Sequence, residues 1–223
     1  MEQTNETNSL ACETLIGIFT VDSGVVKVLL SRKKTEPYKG YWTLIGKKLQ
    51  IDETLEDNIT DVVIDETGLS NIYIEQIHTF SSLDRNYSER TLSTVFIGLV
   101  DSKTVELKQY KENNGDFSWF SIDAIPKMGY DHDILLKYAI DYLRKKITNS
   151  NILKLLFPSD FTLPELQKVY EQILNITIDR RNFRKKFVSM NLIEDTGYKN
   201  EGFTGRPAKL YRFQDELKEK TLF

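Results

Sequence analysis

The sequence predicts an α+β fold in two domains, one over residues 1–148 and one over residues 149–223. Three observations predict it. β-Branched runs alternate with amphipathic helical stretches in the first part. After residue 150 the order becomes helix, turn, helix and hairpin. The charge also divides: residues 151–223 carry 13 basic and 10 acidic side chains, whereas residues 1–150 carry 17 basic and 23 acidic ones. The basic second part is the one expected to meet a polyanion.

The composition indicates a water-soluble globular protein. Of the 223 residues, 40% are hydrophobic and 28% are charged, which is enough apolar surface for a core. Cys12 is the only cysteine, so no disulfide within the chain and no thiolate metal cage can form. No apolar run approaches the roughly 20 residues of a membrane-spanning helix, and residues 1–9 are polar. We therefore expect a cytoplasmic protein.

The first domain is expected to open with a β-hairpin. The runs 15–19 and 25–30 are apolar, and Asp22, Ser23 and Gly24 supply turn chemistry between them. An amphipathic helix follows at 52–68 and ends at Gly68. The remaining elements are predicted as strands over 72–80, 91–100 and 117–120 and as a helix over 131–147.

The second domain begins after a short polar stretch at 148–151. Thr162 is expected to cap a helix whose first turn contains Pro164, and Asp179 is expected to cap the next helix. Two short strands at 192–193 and 208–213 then flank a loop rich in glycine and basic residues. This order is that of a winged helix-turn-helix.

The segment leading into and through the first predicted helix resembles the Nudix box, G-x(5)-E-x(7)-R-E-U-x-E-E-x-G-U, where U is aliphatic. With Glu53 and Gly68 aligned, Lys47 stands at the glycine, Asp61 at the arginine and Val62 at the first glutamate of the R-E pair. The positions that still fit, or nearly fit, are Val63, Asp65, Glu66, Gly68 and Leu69. The resemblance implies a Nudix-like α/β/α sandwich.

The substitutions in the box remove the chemistry of that family. Its members hold Mg²⁺ or Mn²⁺ with carboxylates on one helix face, and Val62 offers no oxygen ligand. Asp61 facing Glu53 would repel it, whereas Lys47 or Lys48 would neutralise the remaining carboxylates. We expect no hydrolase activity, no cofactor and no metal site. Asp65 and Glu66 are vestigial: either weak metal ligands or simply solvated carboxylates.

A cleft between the sheet and the box helix is expected to bind a small-molecule effector. Aromatic side chains before the box would stack on a sugar or base, and a charged cluster between two strands would orient the ligand. The alternatives are core packing for the aromatics and a solvated loop or dimer contact for the charges. His78 and His132 are expected to be packed residues. The candidate effector residues are Tyr38, Trp42, Lys47, Asp84, Arg85, Glu89 and Arg90.

The second helix of the winged domain carries the candidate DNA contacts. Five of the seven residues 180–186 are basic, and this half of a recognition helix faces the major groove. Asn182 suits adenine, arginine suits guanine, and lysines meet phosphates. The candidate DNA-binding residues are Thr162, Arg180, Arg181, Asn182, Arg184, Lys185, Lys186, Arg206 and Lys209.

Together, the eroded box and the winged-helix segments resemble the Nudix-related (NrtR-like) transcriptional regulators, most closely the arabinose-utilisation type. The matching segments are 83–85, 89–90, 131–132, 161–163, 165–167, 170–171, 179–186, 205–208 and 211–213. The resemblance implies a homodimeric repressor on a palindromic operator. An effector, expected to be a pentose such as arabinose, would release it through a coupling free energy of about 1 to 3 kcal/mol.

Three alternatives stay open at this point. The first is an ADP-ribose-responsive regulator of NAD metabolism. The second is a working Nudix pyrophosphohydrolase with an accessory domain, against which Val62 speaks. The third is a protein-interaction module, which the basic residues 180–186 disfavour.

Overall fold

The computed structural model describes residues 10–83, 85, 89–107, 116–157, 160–200 and 207–214. It confirms the mixed fold, with a seven-stranded sheet in the first part and a three-stranded sheet in the second. Among the described helices, none has the length and apolar character needed to cross a membrane. The elements are β1 (Ala11–Asp22), β2 (Val25–Arg32), β3 (Trp42–Thr43), β4 (Ile45–Lys48), α1 (Leu55–Thr67), β5 (Tyr73–Phe80), β6 (Thr91–Leu99), α2 (Ser102–Leu107), β7 (Phe117–Ser121), α3 (His132–Asn149), a 3₁₀ helix (Ile152–Leu156), β8 (Phe161–Thr162), α4 (Leu163–Leu174), α5 (Arg180–Ser189), β9 (Ile193–Lys199) and β10 (Lys209–Phe213).

The predicted hairpin is confirmed as the antiparallel pair β1 and β2. Ser23 and Gly24 form its two-residue turn with φ values of 52° and 72°. Positive φ at both central positions matches the twist of the flanking strands, which is why such turns dominate two-residue hairpins.

Strand β1 lies in the middle of the large sheet and changes partners along one edge. Parallel β6 pairs with it from Ala11 to Phe19. On the other edge, β4 pairs with the segment from Glu13 to Ile16, and β2 pairs with it from Ile18 onward. The sequence did not predict β4, because four residues that include a glycine and two lysines carry no strand signal.

The two faces of the sheet pack against different helices. Ile16 and Ile18 of β1 belong to one apolar cluster, which also contains buried residues of α1. Leu15 and Phe19, which point the opposite way, belong to a second cluster with α3. Helix α1 starts later than predicted because Thr54, not a residue near position 52, caps it, and it ends as predicted at Gly68, whose φ is 69°.

Helix α3 connects the two parts of the molecule. It runs to Asn149, so the domain boundary expected at 148/149 falls in its last turn and stays a prediction. The side chain of Asp131, which directly precedes the helix, does not cap it, because its carboxylate pairs with Arg85. The apolar cluster on this face continues from Leu15 into the winged part as far as Phe213.

The winged part has the predicted order of elements. Thr162 caps α4 in a reciprocal capping box with Glu165, and the Asp179 carboxylate accepts a hydrogen bond from Asn182 N at the start of α5. The hairpin of β9 and β10 is extended by β8 into a three-stranded sheet. Gly197 lies in β9, whereas Gly202 and Gly205 of the expected loop lie outside the described residues.

Gly46 tests the pairing of β1 with β4. A Cβ atom there would lie 2.0 Å from the Thr14 carbonyl oxygen, so Gly46→Ala must push the strands apart. We expect it to lower the free energy of unfolding by about 1 to 3 kcal/mol in urea denaturation. The control is Gly17→Ala, whose Cβ meets its nearest atom, in the Phe19 ring, at 3.4 Å. Equal stability of the two variants would contradict the assignment.

Candidate functional site

A cavity of about 290 Å³ opens beside the first half of β1. It lies on the α3 face of the sheet, at the start of that helix. The expectation of a cleft between the sheet and the box helix is wrong for this cavity, since no residue of α1 lines it. Its lining residues are Glu13, Leu15, Lys33, Thr43, Leu44, Gly46, Lys47, Lys48, Arg85, Thr91, Tyr130, Asp131 and His132.

Arg85 and Asp131 form one wall of the cavity. Arg85 Nε lies 2.6 Å from Asp131 Oδ2 and Nη2 lies 3.1 Å from Oδ1, a two-point pairing. Arg85 Nη1 also donates to the Phe80 carbonyl. The Arg85 side chain is only 7% exposed. Because both partners are held in fixed geometry, the pair ties the loop after β5 to the start of α3.

His132 is the first residue of α3 and is buried beside this pair. Its Nδ1 accepts a hydrogen bond from Leu44 N at 3.0 Å, so the neutral ring carries its proton on Nε2. Burial lowers the pKa of His132 to about 4, an effect that Arg85 and Lys33 reinforce and that Asp131 opposes. The imidazole is therefore neutral at physiological pH, and its expected packed role is consistent with this environment.

Three lysines also line the cavity. Lys47 Nζ lies 3.4 Å from Glu53 Oε1, and Lys48 Nζ lies 2.5 Å from Glu89 Oε2. Lys33 Nζ lies 5.7 Å from the centre of the Tyr130 ring. These ammonium groups sit on flexible stems in partly exposed positions, so the present pairs are weak and exchangeable.

Glu53 is held by a buried polar group at the start of α1. Asn58, which is fully buried, donates to Glu53 and accepts from Thr14 Oγ1 at 2.5 Å. The hydrogen bond from Asn58, assisted by Lys47, keeps the pKa of Glu53 below its usual range. Glu53, the carboxylate that aligns with the first glutamate of the box, thus stays ionised, and its charge is compensated by Lys47 and Asn58.

Glu13 is one of the cavity residues that sequence reasoning missed, and Lys33 and Tyr130 are others. Glu13 lies in a strand predicted only from residue 15 onward, and only the register brings it opposite Ser93 on β6 and Lys48 on β4. Burial raises the pKa of Glu13, against a hydrogen bond from Ser93 and the nearby Arg85 charge. No local sequence signal identifies it, because its neighbours come from distant strands.

Five of the candidate effector residues lie outside the cavity lining or outside the described residues. Trp42 packs edge-on against Phe120, with ring centres 4.8 Å apart, and Tyr38 packs on Tyr130 at 4.7 Å. Arg90 donates to the Ser81 and Ser82 carbonyls. Asp84 lies outside the described residues. The structure thus brings Lys47 and Arg85 together in the cavity, with Glu89 at the rim through Lys48.

The candidate DNA contacts form one face of α5. Phe183 and Phe187 are buried and pack on Tyr170, with ring centres 5.7 and 5.2 Å away, so the rest of the helix faces outward. The exposed candidates are Arg180, Arg181, Asn182, Arg184 and Lys185, and Lys186 is half-buried.

The wing and the start of α4 complete this face. Arg180, Arg184 and Lys209 line one depression of about 150 Å³ next to Pro164. Lys209 Nζ lies 2.6 Å from Asp195 Oδ2. Thr162 is only 6% exposed and its hydroxyl serves the capping box, so the structure gives it a role within the fold. Arg206 lies outside the described residues.

Comparisons with known proteins find relatives for both the first domain and the winged part of the chain. Residues 153–213 match the family described as the NrtR DNA-binding winged helix domain. An ADPR-responsive transcriptional repressor of Acinetobacter baylyi is 29% identical over 203 residues, 89% of this chain and 80% of the relative. The crystal structure of Shewanella oneidensis NrtR in complex with a 27-mer DNA superposes with a TM-score of 0.78, 27% identity and coverage of 91% and 93% of the two chains. Residues 153–213 belong to the NrtR winged helix domain family, and the chain as a whole is NrtR-like.

The first domain also has an enzyme among its relatives. An ADP-ribose pyrophosphatase of Methanocaldococcus jannaschii is 32% identical over 120 residues, 54% of this chain and 68% of that protein. The chain is therefore an NrtR-like DNA-binding regulator whose sensor domain shares ancestry with hydrolases. Whether it retains hydrolysis depends on its own box.

The box of this NrtR-like chain does not fit a catalytic metal. Val62, at the position of a metal-binding glutamate, is 4% exposed and packs in the apolar core of the α1 face. Asp65 and Glu66 are exposed on α1 and do not line the cavity. Within the described ranges, no group of three or more His, Cys, Asp or Glu side chains is placed to hold a metal ion.

His132 predicts an acid-sensitive fold. Its folded pKa of about 4 lies below the unfolded value near 6.5, so the unfolded chain takes up the proton first as the pH falls. The neutral His132 therefore makes its full contribution to the free energy of unfolding above pH 6.5. This contribution, roughly 3 kcal/mol, is lost as the pH falls from 6.5 to 4. His132→Asn keeps an acceptor for Leu44 N but does not titrate. Urea denaturation at pH 7.5 and 5 should show a smaller loss in the variant, and an equal loss would refute the assignment.

Proposed function

We propose that this protein is an ADP-ribose-responsive repressor whose Nudix-type domain senses the ligand without hydrolysing it. The observation that carries the proposal is the similarity to the A. baylyi ADPR-responsive repressor across both domains. A cavity lined by Lys33, Lys47, Lys48 and Arg85 supports it, because clustered cations attract a diphosphate. Acting on DNA of a bacterial cell, such a repressor would work in the cytoplasm.

ADP-ribose is preferred to the pentose expected from the eroded box. Two relatives carry ADP-ribose in their names. A neutral sugar, by contrast, carries no negative charge that the lysines around the cavity could compensate. The sequence alternative of an ADP-ribose-responsive regulator therefore fits better than the arabinose reading.

The proposed absence of hydrolysis rests on the substitutions at the metal-binding positions of the box. Pyrophosphate cleavage by this fold needs several carboxylates on one helix face. Here Val62 is buried in the core and Glu53 is paired with Lys47 and Asn58. Incubation of the protein with ADP-ribose and Mg²⁺ or Mn²⁺, followed by chromatography, should yield no AMP above the blank. Metal-dependent AMP release would establish the hydrolase alternative.

Two copies are proposed to bind a palindromic operator, since one short recognition helix reads too few bases. The face of α5 described above would enter the major groove, with the wing against the flanking backbone. Sedimentation of the protein with and without operator DNA tests the stoichiometry.

The decisive experiment is fluorescence anisotropy of a labelled operator fragment taken from upstream of the protein's own gene or its neighbours. We expect ADP-ribose to weaken DNA binding by about 5- to 150-fold, and L-arabinose and NAD to leave it unchanged.

Arg181→Ala should weaken DNA binding by about 1 to 3 kcal/mol while leaving ADP-ribose binding intact. The control, Lys145→Ala, removes an exposed cation of α3. Release by arabinose and not by ADP-ribose would reverse the proposal.

The path from the cavity to DNA is proposed to run through α3 and α4. The first turn of α3 lines the cavity. Near its other end, Arg144 Nε donates to the Ile173 carbonyl of α4 at 2.6 Å. Gln172 of α4 accepts from Val26 N and donates to Asp123 Oδ2, both at 2.7 Å. These bonds fix the winged part against the sensor domain.

Gln172 provides a test of this path. Gln172→Ala removes these two hydrogen bonds and a third, which Gln172 Nε2 donates to Ser121 Oγ, so ADP-ribose binding and DNA binding should influence each other less. We expect the effect of ADP-ribose on DNA affinity to fall severalfold in anisotropy, while the separate affinities for DNA and for ADP-ribose stay within about twofold. Asp123→Asn keeps an acceptor for Gln172 and should behave as the wild type. Unchanged coupling in Gln172→Ala would exclude this contact from the path.

A further inference from the structure

The size of the cavity limits which part of ADP-ribose it can enclose. At about 290 Å³ it lies at the lower end of small-molecule sites, which span roughly 300 to 1,000 Å³. A sugar phosphate matches this space better than a complete dinucleotide-like ligand. ADP-ribose has one end of this kind, the ribose 5-phosphate that lies beyond the adenosine phosphate.

The charges around the cavity separate into fixed and exchangeable groups. Arg85 and Asp131 pair with each other through two contacts and are largely buried. The ammonium group of Lys48 instead pairs with Glu89 at a partly exposed position, where an incoming phosphate can replace the present partner. Lys47 lies opposite Thr14 and pairs with Glu53 on the α1 side, so Lys48 is the lysine of β4 that can meet the anionic part of a ligand.

Glu13 is the remaining ionisable group and has a different character. The registers of β1 with β6 and β4 set it between Ser93 and Lys48. One carboxylate oxygen, Oε1, accepts from Ser93 Oγ. The other, Oε2, accepts no hydrogen bond from the described residues. An acceptor-only group in a cavity for an anion has to meet the ligand's donors, and the donors of a sugar phosphate are its hydroxyls.

We propose that this cavity takes the ribose 5-phosphate end of the effector, with Glu13 accepting hydrogen bonds from two neighbouring ribose hydroxyls and Lys48 facing the phosphate. The proposal rests on the function proposed above. Glu13 is then the residue that distinguishes ADP-ribose from ADP, because ADP keeps the adenosine and diphosphate but lacks this sugar. Asp131 is less suited to this role than Glu13, since both of its oxygens already accept hydrogen bonds from Arg85.

The test is isothermal titration of the full chain with ADP-ribose, ADP and ribose 5-phosphate. Glu13→Gln keeps the shape but replaces an acceptor oxygen by an NH₂ group, which cannot accept from a hydroxyl. We expect it to lose about tenfold or more in affinity for ADP-ribose, to lose ribose 5-phosphate binding and to keep the affinity for ADP. The control is Lys145→Ala, which removes an exposed cation that does not line the cavity and should bind ADP-ribose within about threefold of the wild type.

A ligand variant keeps the test valid if Glu13→Gln does not fold. The wild type should bind ribose 5-phosphate about tenfold more tightly than 2-deoxyribose 5-phosphate, which lacks one of the two hydroxyls. Equal binding of these two sugars, or an equal loss of ADP-ribose and ADP affinity in Glu13→Gln, overturns the assignment. If the wild type binds ribose 5-phosphate selectively but not ADP-ribose, the proposed effector is wrong while the role of Glu13 stands.

Discussion

Strand β1 is the constraint around which the molecule is arranged, because it is hydrogen-bonded on both edges and buried on both faces. Its parallel partner β6 follows it from Ala11 to Phe19, while its other edge passes from β4 to β2 near Ile16 and Ile18. The strand alternation sends Ile16 and Ile18 to the α1 face and Leu15 and Phe19 to the α3 face. A shift of one residue in register would exchange these faces. The same register places Glu13 in the cavity.

The sensor and winged parts share one apolar core on the α3 face of the sheet. That cluster runs from Leu15 through α3 and α4 to Phe213, and the polar contacts of Gln172 and Arg144 lie at its edge. Because close-packed side chains have little room to rearrange, a displacement at one end of a continuous core is passed on to the other end. Helix α3, with one end at the cavity and the other beside α4, is the element through which ligand and DNA can influence each other.

The eroded box illustrates how a catalytic frame becomes structural. Val62 completes the core beneath α1, and Lys47 with Asn58 satisfies Glu53 without a metal. Gly46, one position before the box glycine, allows the closest approach of β4 to β1. The cavity lies on the other side of the sheet, away from the buried Val62 of the box.

The sequence by itself determined the elements whose signals are local. The turn at Ser23 and Gly24, the caps at Thr162 and Asp179 and the stop at Gly68 depend on backbone geometry that a few neighbouring residues set. The basic face of α5 follows in the same way from helical spacing around Phe183 and Phe187. Such features need no knowledge of distant residues.

Only the tertiary structure decided the composition of the cavity. Glu13, Arg85 and His132 meet there because strand register and the Arg85–Asp131 pair join segments far apart in the chain. Trp42 and Tyr38, chosen for their chemistry, pack against other aromatics instead. The physical reason is that a residue's type fixes what it can bind, whereas long-range packing decides whether it faces the ligand or the core.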